Sequence, residues 1–497
     1  MSRSRRPPGR WLARLFAVSA ASAVLALAAA AATVWYLQQQ GVAPRALAPY
    51  VEKRSSGHHP AIEWAGRWSG RTLSALDRGV PHDHALPPLP PPPPPLPPLL
   101  VGAQTGGASA ATGRSVIVAD SDAVRAAIAD AQPGDSITLL PGAYRFNSPG
   151  VKVNRAGSAR ARITLRAERP GTVLIEFDTT EGFAVSAPYW RFENLSIRGA
   201  CARHDECEHA FHVLGGAQHF AAINNTITDF NAHFKINGSD ARFPDYGLIE
   251  GNTLTNARAR DTGRPVTPID IVSASGWTIR HNLITDFIKL GGNKISYGAF
   301  AKGAGSGNVF EQNIVLCEHR LTRFGGQRVG LSLGGGGTGK QYCRDRRCIT
   351  EQDGGVIRAN LIASCSDDGI YLNSASRSKV MHNTLLDTGG VSVRFPESSA
   401  DIEGNLVDGA IRSRNGGALR LADNLHTSIA QLYLGYHPVR SLFRAPETLD
   451  FAWAGEAPRR QAGAVLPNGL CGAAPGAGAR YGAFENFSAC LAWPAIR

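Results

Sequence analysis

From about residue 115 to residue 430 the apolar positions come in short β-branched or aliphatic bursts. Each burst is opened by an asparagine. The asparagines are Asn194, Asn225, Asn252, Asn282, Asn313, Asn360, Asn383, Asn405 and Asn424, in steps such as NLSI, NTIT, NTLT and NIVL. Their intervals are 31, 27, 30, 31, 47, 23, 22 and 19 residues. Such bursts are too short for amphipathic helices and suit strands stacked coil on coil. An Asn at the same turn of every coil can bond its neighbours, which keeps a buried amide satisfied. The pattern predicts an all-β, right-handed parallel β-helix. Intervals of 19 to 23 fit one bare coil. Intervals near 30 leave roughly 8 residues for a surface loop. The interval of 47 is either two coils with one Asn missing or one coil with a large insertion.

Other segments frame this solenoid. DSDAVRAAIADA, residues 120–131, predicts a short helix with Asp120 or Ser121 as N-cap, plugging the first coil. ITLRAERPGTVLIEF, 163–177, supplies the first coil strands. Beyond residue 430 the pattern breaks, and the tail 431–497 is expected to cap the other end. At the start, Arg3, Arg5, Arg6, Arg10 and Arg14 precede an uncharged run from Leu15 to Tyr36, with Trp35 and Tyr36 at its far end. This predicts a transmembrane signal-anchor over residues 1–40, with the N-terminus in the cytoplasm of a bacterial cell. The β-helix would then be periplasmic, on the outside of the inner membrane. A cleaved signal peptide with a secreted product is the rival reading. Residues 41–114 read as a spacer because of the proline run 87–100.

The chain has 497 residues, 43% hydrophobic and 19% charged, so its bulk is globular. A net charge of +12 points to an anionic partner, an acidic polysaccharide first. Nucleic acid is disfavoured because no reading module stands out. Eight cysteines suit an oxidising compartment. Cys317 and Cys365 lie at nearly equivalent positions on neighbouring coils. Cys201–Cys207, Cys343–Cys348 and Cys471–Cys490 are the simplest remaining pairs.

The helix followed by QPGDSITLLPGAY and then ARITLRAERPGTVLIEF resembles the opening of the chondroitinase-B-like and alginate-lyase-like β-helix proteins. The resemblance implies β-elimination of an acidic polysaccharide, with a Lys base, an Arg and a carboxylate-bound calcium. FAKGAGSGNVFEQN, 300–313, resembles the segment holding the family's lysine, which makes Lys302 the candidate base. The family's next coil falls on LSLGGGG, 331–337, where no Arg stands, and no Asp or Glu occurs between Asp286 and Glu311. No cofactor is therefore called for. Calcium is left open with no ligand set.

Between Lys289 and Arg347 stand ten Lys or Arg and three acids, Glu311, Glu318 and Asp345. That basic segment suits enolate stabilisation beside a lysine base. Lys302 is the expected base, with Tyr297 or His319 donating to the leaving oxygen. Lys294, Arg320, Arg323 and Arg328 are expected to hold substrate carboxylates. A solvated basic loop is the bland alternative. Asp367 and Asp368 suggest a substrate contact or glycoside hydrolysis, against a turn-forming role. Asp270 and Arg394 stand in strand-like runs whose faces the sequence leaves unassigned, each as readily outward and solvated as site-directed, and Arg394 counts among the candidate substrate contacts. GGGGTGK, 334–340, is followed by Gln341 and not Ser or Thr, so it is no phosphate loop. Its glycines suit a tight bend or the close approach of a sugar chain. CARHDECEHAFH, 201–212, has zinc-like residue types, but export favours a Cys201–Cys207 disulfide. The leading expectation is a lyase-like enzyme. A non-catalytic carbohydrate-binding or envelope scaffold and an Asp367/Asp368 hydrolase are the alternatives.

Overall fold

The computed structural model describes residues 9–79, 99–106, 109, 113–322, 324–335, 337–460, 468–472 and 479–491. Its centre is the expected parallel β-helix. Three parallel sheets of 12, 10 and 11 strands run the length of the solenoid, and each complete coil contributes one strand to each sheet. We call the 10-stranded sheet, which contains Ile295–Lys302, the floor. The 12-stranded sheet with Thr278–Arg280 is the side, and the 11-stranded sheet with Leu283–Thr285 is the back.

Register is set by the apolar alternation. Phe183, Phe211 and Phe234 pair across successive floor strands and stack at 5.3 and 5.2 Å inside the coils. A one-residue slip would turn these rings to the outer face. Helix α4 (Ser121–Ala129) buries Val124 and Ile128 against the first coil, and its N-cap is Asp120, which accepts from Ala123 N–H at 2.8 Å. The four disulfides are Cys201–Cys207, Cys317–Cys365, Cys343–Cys348 and Cys471–Cys490.

The asparagine ladder runs at the turn between side and back. Asn282 shows the repeating unit. Its N–H and its amide Nδ2 both donate to Asn313 Oδ1 at 3.0 Å. Nδ2 also reaches the Ile249 carbonyl at 2.9 Å, and Oδ1 accepts from Asn252 N–H at 2.9 Å. Asn313 bonds Asn360 directly, so the interval of 47 is one coil carrying a large insertion. Asn194 is not a rung. Asn225 Oδ1 accepts from Leu195 N–H, which makes Leu195 the rung position. Asn194 sits one residue earlier, at the left-handed turn position shared by Asn224, His281 and Gln312.

Two flanking regions differ from expectation. Within 41–114, helices α2 (Pro44–Ser55) and α3 (Pro60–Arg78) form a hairpin after helix α1 (Gly9–Gln39). Their sequence signals are proline at each first turn and Gly79 in the left-handed C-cap position. The proline run 87–100 lies outside the described residues, apart from Leu99 and Leu100. The tail also departs from the expected end cap. Phe443, Phe451, Leu470 and Phe484 pack on Ile314, Leu361, Leu386 and Leu406, which face outward from the back sheet. The tail shields a flank because those back strands carry apolar residues on both faces.

Candidate active site

On the outer face of the floor, Lys235, Asp270 and Phe300 pair side by side on three successive strands. Two residues further along, Asn237, Val272 and Lys302 form the next outward row. These rows end at a cavity of about 670 Å³ lined by Lys235, Asn237, Lys302, Phe243, Tyr342 and Arg346 among others. Lys302 Nζ rests over the Phe300 ring at 4.4 Å. Among the described residues no carboxylate comes within salt-bridge reach of it. Burial lowers its proton affinity below the ordinary lysine value. Lys235 lowers it further, while Asp270 and Glu351 act the other way. Asp270 is buried; its Oδ2 accepts from Lys235 Nζ at 2.9 Å, and its Oδ1 has no hydrogen-bond partner among the described residues.

The cavity's other wall is the large insertion, folded back over the strand ends. Gly334 adopts φ +72°, and a Cβ there would collide with the Asn373 carbonyl. A Cβ on Gly335 would meet Lys302 Cδ at 2.8 Å, so the lysine stem passes only because residue 335 has no side chain. Buried Glu351 pins the loop, accepting from Thr338 Oγ1 and from Gly303 N–H, both at 2.9 Å. Arg344 makes a two-pronged ion pair with Asp245 at 2.8 Å on each prong and lies over Phe243 at 4.3 Å. Ser273 Oγ donates to the Tyr342 carbonyl. Cys343–Cys348 closes the loop.

Of the expected site residues that the structure describes, only Lys302 lines this cavity. Arg328 pairs with Ser296, six residues before Lys302 on the same floor strand, roughly 20 Å away at strand rise. It is buried, ion-paired to Glu318 at 2.7 Å and donating to the carbonyls of Phe324 and Gly325. It is thus committed to the fold rather than to a ligand. His319 is buried at the back-to-floor turn, where its backbone N–H and that of Arg320 donate to Asp286 Oδ1. Burial lowers the His319 pKa. The Arg320 side chain is exposed there, and Lys294 is exposed at the start of the Lys302 strand. Arg323 lies outside the described residues.

Tyr297 packs edge-on against Phe300 at 5.5 Å, on the strand stretch leading away from the cavity. Burial, reinforced by Tyr371, Asp367 and Asp368, pushes its hydroxyl up to about 12. Asp368 is buried against Arg412 at 2.5 Å, and burial raises its pKa to about 7 despite that arginine. Asp367 accepts from Gln327 Nε2 at 3.1 Å. The two acids therefore form no open carboxylate pair. Arg394 donates to Tyr371 Oη at 3.1 Å. It occupies the outward row of Lys302, roughly 14 Å further along the solenoid at three strand spacings.

Lys235, Tyr342 and Arg346 were missed because floor strands must be paired across loops of unequal length before their faces can be read. The glycine run was the legible signal for close approach. Among the described residues no three His, Cys, Asp or Glu side chains cluster where a metal ion could sit.

Fold and cleft together place the chain with the parallel β-helix proteins, the architecture of many polysaccharide lyases. No family model matches the chain. It is similar to pectate lyase L of Dickeya chrysanthemi, 26% identical over 236 residues, with 40% of this chain and 52% of that protein covered. The chain thus spans about half the length of this curated relative. Among solved structures it is similar to pectate lyase Pel9A, at 16% identity and TM-score 0.45, covering 63% of this chain and 78% of that one. It is also similar to an alginate lyase from Paenibacillus sp. str. FPU-7, at 14% identity and TM-score 0.36, covering 62% and 99%.

Proposed function

We propose that the chain is a polysaccharide lyase that cleaves a uronate-containing polymer by β-elimination, with Lys302 as the base. One observation carries this reading: a lysine with lowered proton affinity sits on the floor of a cationic cleft, beside a second lysine. Lys302 Nζ takes the proton on the carbon beside the uronate carboxylate. Charge then builds on that carboxylate, where Lys235 and Arg346 stabilise it. A carbon–carbon double bond forms as the bond to the glycosidic oxygen breaks. The Tyr342 hydroxyl is the donor on the cavity wall for that leaving oxygen. Arg394, along the same row, meets a sugar further down the chain.

The location reading has its own support. Ala17–Gln39 is long and apolar enough to cross a membrane, and four disulfides suit an extracytoplasmic domain. The chain is read as anchored in a bacterial inner membrane, with the cleft outside the cytoplasm. N-terminal sequencing of the membrane fraction separates this from a cleaved signal.

The test of activity is to mix the full chain in detergent with pectate, alginate, chondroitin, hyaluronan and heparan. Ultraviolet absorbance of unsaturated uronate is followed. The expected result is a rise on one polymer that Lys302→Ala removes. Binding without product would establish a scaffold instead. New reducing ends without a double bond would establish hydrolysis.

A further inference from the structure

We propose that the α2–α3 hairpin is a seat for the bilayer surface, gripping the headgroup region of an anionic membrane beside the point where α1 enters it. This rests on the membrane-anchor reading of α1.

The observation is an exposed aromatic and basic face where none is needed for folding. Helix α3 packs on α2 through Gly66, Gly70 and Ser74, all buried. A side chain at Gly66 or Gly70 would collide with Ser55 or Glu52 of α2. At 100° per residue, Trp64 and Trp68 point away from that packing face, with Arg71 beside them about 100° round from it. Trp64 is 63% exposed and Trp68 59%. Arg67 and Arg71 flank them; Tyr50, Lys53 and Arg54 on α2 are exposed too. Large exposed tryptophans are uncommon on a water-facing helix, and Trp among Arg and Lys is the composition of a helix lying in a membrane interface.

Position supplies the second argument. The chain turns at Gly41 from α1 straight into α2, so the hairpin starts where the apolar span ends. Trp35 and Tyr36, at 64% and 57% exposure, mark that same level on α1. Helix α5 (Ile429–Tyr433) fastens the junction: Ala430 N–H donates to Gln38 Oε1, and Tyr433 Oη to the Val42 carbonyl. Leu434 and Tyr436, just after α5, are exposed as well.

The hairpin is also joined firmly to the β-helix. Arg45 pairs with Asp77 at 2.6 Å and with Asp387 at 3.1 Å, and donates to the Cys365 carbonyl at 2.7 Å. Arg78 pairs with Asp387 and Glu318. His437 bridges Asp408 and the Leu76 carbonyl. Whatever binds the tryptophan face therefore fixes the orientation of the whole solenoid.

The test reconstitutes the full chain in phosphatidylcholine–phosphatidylglycerol vesicles carrying lipids brominated at different depths. The emission of Trp64 and Trp68 is read as the wild-type spectrum minus that of Trp64→Phe/Trp68→Phe, both conservative changes at exposed sites. The expected result is several-fold stronger quenching by bromines near the headgroups than by bromines at the bilayer centre. Arg67→Gln/Arg71→Gln is expected to weaken that shallow quenching. If the remaining emission, Trp35 included, is quenched while the difference spectrum is not, the anchor stands and the seat is overturned. If the chain fails to float with vesicles, the anchor reading falls and takes the seat with it. If the difference spectrum responds to an acidic oligosaccharide and not to lipid, the face is a carbohydrate platform and the seat is overturned.

Discussion

The asparagine ladder and the Lys302 cleft are both arrays of polar side chains on the same coils, and they are opposites. In the ladder each amide from Asn225 to Asn405 has a partner above and below, repeated from coil to coil. In the cleft Asp270 Oδ1 has no hydrogen-bond partner among the described residues, and Lys302 Nζ faces a ring instead of a carboxylate. Repetition with full satisfaction is what a fold needs from polar groups. A single unrepeated cluster with unmet bonding capacity is what chemistry needs. Under the proposed function, the repeated array serves the fold and the unrepeated cluster serves the chemistry.

The sharpest break in this comparison is Lys302→Ala. Activity is expected to fall by roughly 10² to 10⁴-fold with the melting temperature unchanged, read by turnover assay and calorimetry. Asn282→Ala is the mirror experiment. It strips Asn252 of its acceptor and is expected to destabilise by about 3 kcal/mol in denaturant titration, with activity per folded molecule intact. An Asn282→Ala chain of full stability would refute the structural reading of the ladder. Gly335→Ala tests the wall of the cleft. It displaces the Lys302 stem and is expected to reduce kcat/KM by up to about 10²-fold. Smallest is a pH effect. Activity is expected to rise with pH as Lys302 loses its proton, with a midpoint below the ordinary lysine value. The Asp270 charge favours the protonated lysine, so Asp270→Asn moves that midpoint further down. An upward move would exclude Lys302 as the titrating base.

How much was legible follows the same division. Repeated features showed in the sequence because repetition is itself a signal. The coil count near each Asn, the Asp120 cap and the four disulfides could all be found in one chain. Asn194 misled because Asn is equally at home in the left-handed position one residue before the rung. The cleft was only half legible. Lys302 stood out by resemblance, but Lys235 and Arg346 reach it only through register and through the fold-back of the insertion. Arg328 misled in the opposite way. Its charge suggested a ligand, and the fold uses it against Glu318. The helices at 44–78 were obscured by the neighbouring prolines, although Pro44, Pro60 and Gly79 mark their ends.

The fastening of the hairpin turns the solenoid into a ruler. Gly79 ends a helix bound to the β-helix, and Leu99 pairs with Leu491 on its tail, so both ends of the segment between them are held by one body. The α1–α2 turn at Gly41 lies against Arg412. From the Arg412 strand, the floor climbs through Ser392, Tyr371 and Ser332 to Phe300 beneath Lys302, four strand spacings or roughly 19 Å. Each coil inserted or removed there would move the cleft by one strand spacing relative to the α1–α2 turn. On the proposed membrane seat, coil number and not linker length sets how far from the bilayer the cleft stands.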